Sequence, residues 1–177
     1  MQATRGEAPQ LFPARQDFSS LLEQAYSWAN PAALDKGVTL TREGGPAGVE
    51  VWGDADALLS VVGNLLANAI RYTPASGHVT VRHGASDGWC WVEITDTGIG
   101  LSPDAQSQIF ERFYRAPEAR ALDAQGLGLG LTLVHQLVAA HNGRVEVEST
   151  LDEGSMFRVL LPALGAHTED ANDDANA

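Results

Sequence analysis

Apolar positions along the chain change period several times, and each change marks an element. From Asp17, the residues Phe18, Leu21, Leu22, Ala25 and Trp28 recur at spacings of three and four, the period of one helix face, with Asp17 standing as N-cap. Pro31 is expected to kink or end this helix before Lys36-Gly37. Short strands are expected over 38–41 and 49–52, joined by the Gly-Gly-Pro loop at 44–46. Asp54 is expected to cap a second helix that runs to about Tyr72, where Pro74 and Gly77 close it. Alternating segments over 78–82 and 89–95, separated by Asp87-Gly88, predict a hairpin. Residues 96–127 read as a long loop with one short helical stretch near 105–113, and a loop of that length in a compact domain is usually functional. A third helix is expected from about Gly130 to His141, stopped by Asn142-Gly143. A last hairpin, 144–150 with 155–161, turns at 152–154 before Pro162.

Strands mixed with three helices, without regular βαβ alternation, predict an α+β fold: a two-layer sandwich. The ordered domain is expected over 17–162. Residues 1–16 read as a linker. Residues 163–177 read as a disordered acidic tail, because 167–177 holds Glu169, Asp170, Asp173 and Asp174 and no large apolar residue.

Three segments carry chemistry. In Asn64-Leu-Leu-Ala-Asn68-Ala-Ile-Arg71-Tyr72, helical geometry places Asn64, Asn68 and Arg71 on one stripe with Tyr72 at its edge. Leu58, Val62, Leu65, Leu66 and Ala69 form the neighbouring stripe that faces the core. Asn is a weak helix former, but its amide oxygen suits a hard cation such as Mg²⁺. In Asp96-Thr-Gly98-Ile-Gly100, strand alternation aims Asp96 the same way as Val92 and Ile94, inward, where a carboxylate needs a donor such as a purine amine. Gly98 and Gly100 permit close approach, although a plain turn with a surface Asp fits the same string. In Gln125-Gly126-Leu127-Gly128-Leu129-Gly130-Leu131, alternating glycines run into a helix start, an arrangement suited to phosphate. It is neither a Walker loop nor a dinucleotide loop. Between these lie Phe110, Arg112, Phe113, Tyr114 and Arg115; the aromatics are suited to anchoring a lid, and Arg112 or Arg115 to reaching a phosphate.

The five segments, ending with Gly154-Ser-Met-Phe157, occur in an order that resembles the ATPase domain of sensor histidine kinases, in the GHKL superfamily. They look like that family's N, G1, F, G2 and G3 boxes, and the resemblance covers about 17–162. It implies the Bergerat-type ATP-binding fold, a mixed and mostly antiparallel sheet against three helices with a mobile ATP lid. It implies Mg²⁺ bound by Asn68, with Asn64 beside it, Arg71 near the phosphates and Tyr72 lining the nucleotide. Asp96 would accept from the adenine amine above Gly98 and Gly100. Gly126, Gly128 and Gly130 would hinge the lid, and Leu127 departs from the Ser or Thr common at its position. Asn64 stands where hydrolytic relatives usually have a Glu that activates water, which favours phosphoryl transfer over hydrolysis.

Composition then narrows the setting. A net charge of −12 over 177 residues argues against nucleic acid and anionic lipid as partners. No apolar run reaches membrane-spanning length, so no membrane contact is expected of this segment. The single cysteine, Cys90 between two tryptophans, reads as a buried structural thiol. Among His78, His83, His135, His141 and His167, none precedes Asp17 and none is followed by an acid, so none fits the acceptor that the family carries on an N-terminal helical hairpin. The expected partners are therefore a separate dimerisation and phosphotransfer domain and, indirectly, a response regulator. This segment is expected to be monomeric and cytoplasmic, its parent anchored at the inner membrane. A serine kinase of the anti-sigma type and a nucleotide-sensing interaction module are the alternative readings.

Overall fold

Three apolar helix stripes meeting one face of a sheet account for most of the core. The computed structural model describes residues 10–45, 48–122 and 127–164. Its elements are β1 (Ala14–Asp17), α1 (Phe18–Lys36), β2 (Thr39–Arg42), β3 (Glu50–Gly53), α2 (Ala55–Tyr72), β4 (His78–Ser86), β5 (Trp89–Asp96), α3 (Pro103–Gln106), α4 (Pro117–Leu122), α5 (Gly130–Ala140), β6 (Arg144–Thr150) and β7 (Gly154–Pro162). The main sheet has the order β2-β4-β5-β7-β6, with β2 parallel to β4 and every other pair antiparallel. The result is the α+β sandwich that the pattern predicts, with the mixed, mostly antiparallel sheet that the family resemblance implies.

Leu58, Val61, Val62, Leu65, Leu66 and Ala69 of α2 are buried against Phe18, Leu22 and Ala25 of α1, Val134 and Val138 of α5, and Val92 and Ile94 of β5. Cys90 shares that face; its Sγ–H donates to Glu50 O, and burial pushes the thiol up to about 11. The opposite sheet face is wetter. There Arg82, Glu93, Arg158 and Glu146 form a row of ion pairs across four strands, and Arg144 and Arg158 lie over the Trp89 and Trp91 rings. Asp87 and Gly88 both have positive φ, as the tight turn between β4 and β5 requires.

Several boundaries differ from those expected. Pro31 neither ends nor stops α1, which continues to Lys36 before Gly37 closes it in the left-handed conformation. Burial of Ala33 and the Gly37 cap sustain the last turn despite the one backbone bond that Pro31 removes. Paired structure precedes Asp17: β1 pairs with β3, and the Phe12 N–H donates to Asp54 Oδ2. It also passes Pro162, because the Leu164 N–H donates to Glu50 O. β2 and β3 do not pair with each other; one joins β4 and the other β1. β4 runs past 82 to Ser86, so His83 is a buried mid-strand residue rather than a strand end. The helical stretch near 105–113 is shorter and earlier, starting at a Ser102 cap with Pro103 in its first turn, and α4 was not anticipated. Among the described residues, no helix is long and apolar enough to cross a membrane.

The start of α2 is fixed by polar contacts. Asp54 Oδ1 accepts the Ala57 N–H, and the Asp54 N–H donates to His141 Nε2 at 3.0 Å, while His141 Nδ1–H donates to Leu137 O. His141 thus pins the end of α5 to the start of α2. His141→Ala leaves a buried N–H and a cavity and is expected to cost about 2–4 kcal/mol, against about 1 kcal/mol for Asp54→Ala. Urea unfolding midpoints check that order.

Candidate functional site

α2 has a second face beside its buried one. Asn64, Asn68, Arg71 and Tyr72 all line a cavity of about 760 Å³ between α2, the end of β5, the segment around α3 and α4, and the start of α5. The Asn64 amide is oriented by its Nδ2–H, which donates to Ser60 O at 2.8 Å. Its Oδ1 then faces Gly130, where an added Cβ would come within 2.9 Å of it.

Asp96 closes the other end. It is 7% exposed, and its Oδ1 accepts the Gly98 N–H at 2.8 Å. Burial raises its carboxyl above the usual range, opposed by hydrogen bonds from the Gly98 and Ser155 backbones. Gly98 lies under the pocket rather than on its wall: a Cβ there would sit 2.5 Å from Tyr72 O and 2.7 Å from Asp96 Oδ1. Gly100 has φ +63 and packs on Thr150 O, where a side chain would collide. The β6–β7 turn holds this loop in place. The Asp152 N–H donates to Ile99 O at 2.8 Å, and Ser149 Oγ accepts the Leu101 N–H and donates to Gly154 O.

Leu127, Gly128, Leu129, Gly130 and Leu131 line the cavity where α5 begins, as does Arg115, whose guanidinium donates to Ala119 O. Gly126 lies outside the described residues. Leu129 sits at the N-cap of α5 and makes no side-chain cap bond, so the N–H groups of the first turn have no side-chain cap. Phe113 N–H donates to Gly128 O at 3.1 Å, tying the two ends of the 113–128 segment together. Of the aromatics there, Tyr114 lines the cavity, Phe110 packs at a tilt against the His135 ring and Phe113 is 69% exposed. Arg112 is exposed and does not line it.

The structure adds residues that the motifs did not single out. Leu101, Ile109, Ala116 and Ala119 line the cavity, as do Ile99, Ser155 and Phe157 from within the motif segments, and Ala105, Ala116 and Ala119 form a small cluster against Tyr72 and Leu101. Single alanines in or beside helices of one or two turns carry no periodic signal, which is why this wall is not legible in the sequence. His83 and His141 are buried and hydrogen-bonded, His78 and His135 are exposed, and His167 lies outside the described residues.

Residues 53–165 match the histidine kinase-, DNA gyrase B- and HSP90-like ATPase family. The chain is 38% identical over 144 residues to the sensor histidine kinase RppB of Synechocystis sp., covering 81% of this chain and 31% of that protein. It is 35% identical to the sensor-like histidine kinase SenX3 of Mycolicibacterium smegmatis over 82% of this chain and 38% of the relative. The chain thus spans about a third of the length of these relatives. Among solved structures, full-length ShkA in complex with AMPPNP superposes with a TM-score of 0.76 at 31% identity, over 89% of this chain and 32% of that one. The mycobacterial sensor histidine kinase MprB gives 0.72 at 28% identity, over 86% and 98%.

A buried carboxyl with a raised pKa costs stability while ionised, and that cost disappears once it is protonated. Replacing it with a neutral isostere therefore stabilises the ligand-free fold above the raised pKa and has no such effect below the ordinary carboxylate range. Asp96→Asn is expected to raise Tm at neutral pH, with the gain shrinking as pH falls. Calorimetric scans across pH check the sign.

Proposed function

The chain belongs to the histidine kinase-, DNA gyrase B- and HSP90-like ATPase family, and from that premise we propose that it is the catalytic domain of a two-component sensor kinase. It binds Mg·ATP in the cavity and transfers the γ-phosphoryl group to a histidine on a separate dimerisation domain, from which a response regulator takes it. Asp96, a buried carboxylate that lines one cavity together with two Asn and an Arg, carries this reading.

The residues suit the nucleotide. A carboxylate accepting two backbone N–H groups keeps lone-pair capacity for an adenine amine. The α5 start offers N–H groups and the positive helix end to phosphate. When bound, ATP supplies the phosphoryl group, and Mg²⁺ neutralises charge on its phosphate oxygens. Asn68 would hold that ion through its amide oxygen, and Arg71 would face the phosphates. Tyr72 would line the nucleotide, while the Gly128–Leu131 backbone would cradle its phosphates with Gly126 and Arg115 at the lid side. Asn64 lacks a carboxylate to take a proton from water, which supports transfer to a side chain over hydrolysis. The partner reading is supported by Phe113, Leu122, Leu127, Leu129 and Leu133, exposed apolar residues on the lid and the first turns of α5. The need for ATP supports a cytoplasmic position for the domain, in a parent protein anchored at the inner membrane.

Asp96→Asn is expected to weaken ATP binding about tenfold or more, the loss of one charge-assisted hydrogen bond. Asn68→Ala should act chiefly on the Mg²⁺ dependence of binding and on transfer. Calorimetric titration of ATP with and without Mg²⁺ separates the two, and unchanged affinity in Asp96→Asn would remove the site. The purified chain alone should take up no γ-phosphate label. With a dimerisation fragment carrying the acceptor it should form acid-labile phosphohistidine, and labelling of the isolated chain would contradict the assignment.

A further inference from the structure

α2 ends at the pocket, and its last carbonyls find partners outside the helix. Tyr72 O accepts the Ile99 N–H at 3.2 Å, from the loop that follows Asp96. Ile70 O accepts from Lys36 Nζ at 2.8 Å, and the same ammonium donates to Arg71 O. Lys36 is the last residue of α1, and Gly37 in the left-handed conformation turns the chain immediately after it. A helix C-terminus carries partial negative charge and attracts cations in its last turn. Two cations stand at this end: Lys36 from α1, which holds the carbonyls, and Arg71, which is in the last turn of α2 itself and lines the cavity. The Lys36 ammonium is held below its ordinary value first by burial and then by the Arg71 charge, so the two cations repel.

We propose that Lys36 is a positioning residue for nucleotide binding: by occupying the Ile70 and Arg71 carbonyls it keeps the Arg71 guanidinium off its own helix end and on the pocket side, where phosphate is met. The inference rests on the nucleotide reading above and assigns to α1 a part in it that no motif carries. Without the ammonium, the Ile70 and Arg71 carbonyls are left open to the Arg71 guanidinium, and the seat of the phosphates loses a cation. Adenosine, recognised at Asp96, is indifferent to that change.

The test is calorimetric titration of the 177-residue chain with Mg·ATP and, separately, with adenosine. Lys36→Met is expected to weaken Mg·ATP about tenfold, the size of one phosphate contact, while adenosine affinity stays within about twofold. Lys36→Arg, which keeps the cation, should retain most of the ATP affinity. In an Arg71→Met background, Lys36→Met should add little, because the residue through which it acts is gone. Equal weakening of ATP and adenosine by Lys36→Met would overturn the proposal in favour of general loosening of the helix end. So would undiminished ATP affinity, or a full further loss in the Arg71→Met background. Failure of the nucleotide reading shows differently: the unmodified chain would then bind neither ligand.

Discussion

The helix Ala55–Tyr72 must satisfy two environments at once, and the rest of the structure depends on its doing so. One face is buried with the apolar core, and the adjacent face supplies Asn64, Asn68, Arg71 and Tyr72 to an open cavity. A rotation of about 100°, one residue's worth of helix, would place an amide in the core or a leucine in the pocket. Hydrophobic burial sets the rotation because it is large and one-sided. It is non-directional along the axis, however, so the axial position has to come from directional bonds at the two ends.

Those bonds come from distant parts of the chain. His141, at the end of α5, accepts from the backbone of Asp54 at the start of the helix. Lys36 of α1 and Ile99 of the loop after β5 take the carbonyls at its finish. Both neighbouring helices and the central strand's loop therefore converge on one element. The arrangement fixes the helix that carries Asn64, Asn68, Arg71 and Tyr72 relative to Asp96, across the cavity that the segment around α3 and α4 also walls. Asp96 is the complementary feature. Its burial disfavours its own charge, a local cost in stability that the proposed ligand donor would offset.

Much of this was legible from residue order. The Asp54 cap, the buried stripe of α2, the inward aim of Asp96 and the glycine-rich entry to α5 all follow from period and local chemistry, and each is a property of at most a few turns of chain. The misread boundaries share a different cause. Pro31 reads as a break on intrinsic grounds, yet the packing of Ala33 and the closure at Gly37 carry the helix through. Residues 14–16 look like linker because three residues have no pattern of their own, and only pairing with Glu50–Gly53 makes them part of a strand.

Residue order therefore determined which side chains share a face, which glycines allow close approach, and which chemistry belongs together, because those depend on backbone period and on the groups themselves. Tertiary structure alone decided that β2 lies parallel to β4, that Ala116 and Ala119 wall the cavity beside Tyr72, and that a lysine at the end of one helix caps another. Such contacts join residues tens of positions apart through a shared core. No local period encodes them, and they exist only once burial has brought the elements within hydrogen-bonding reach.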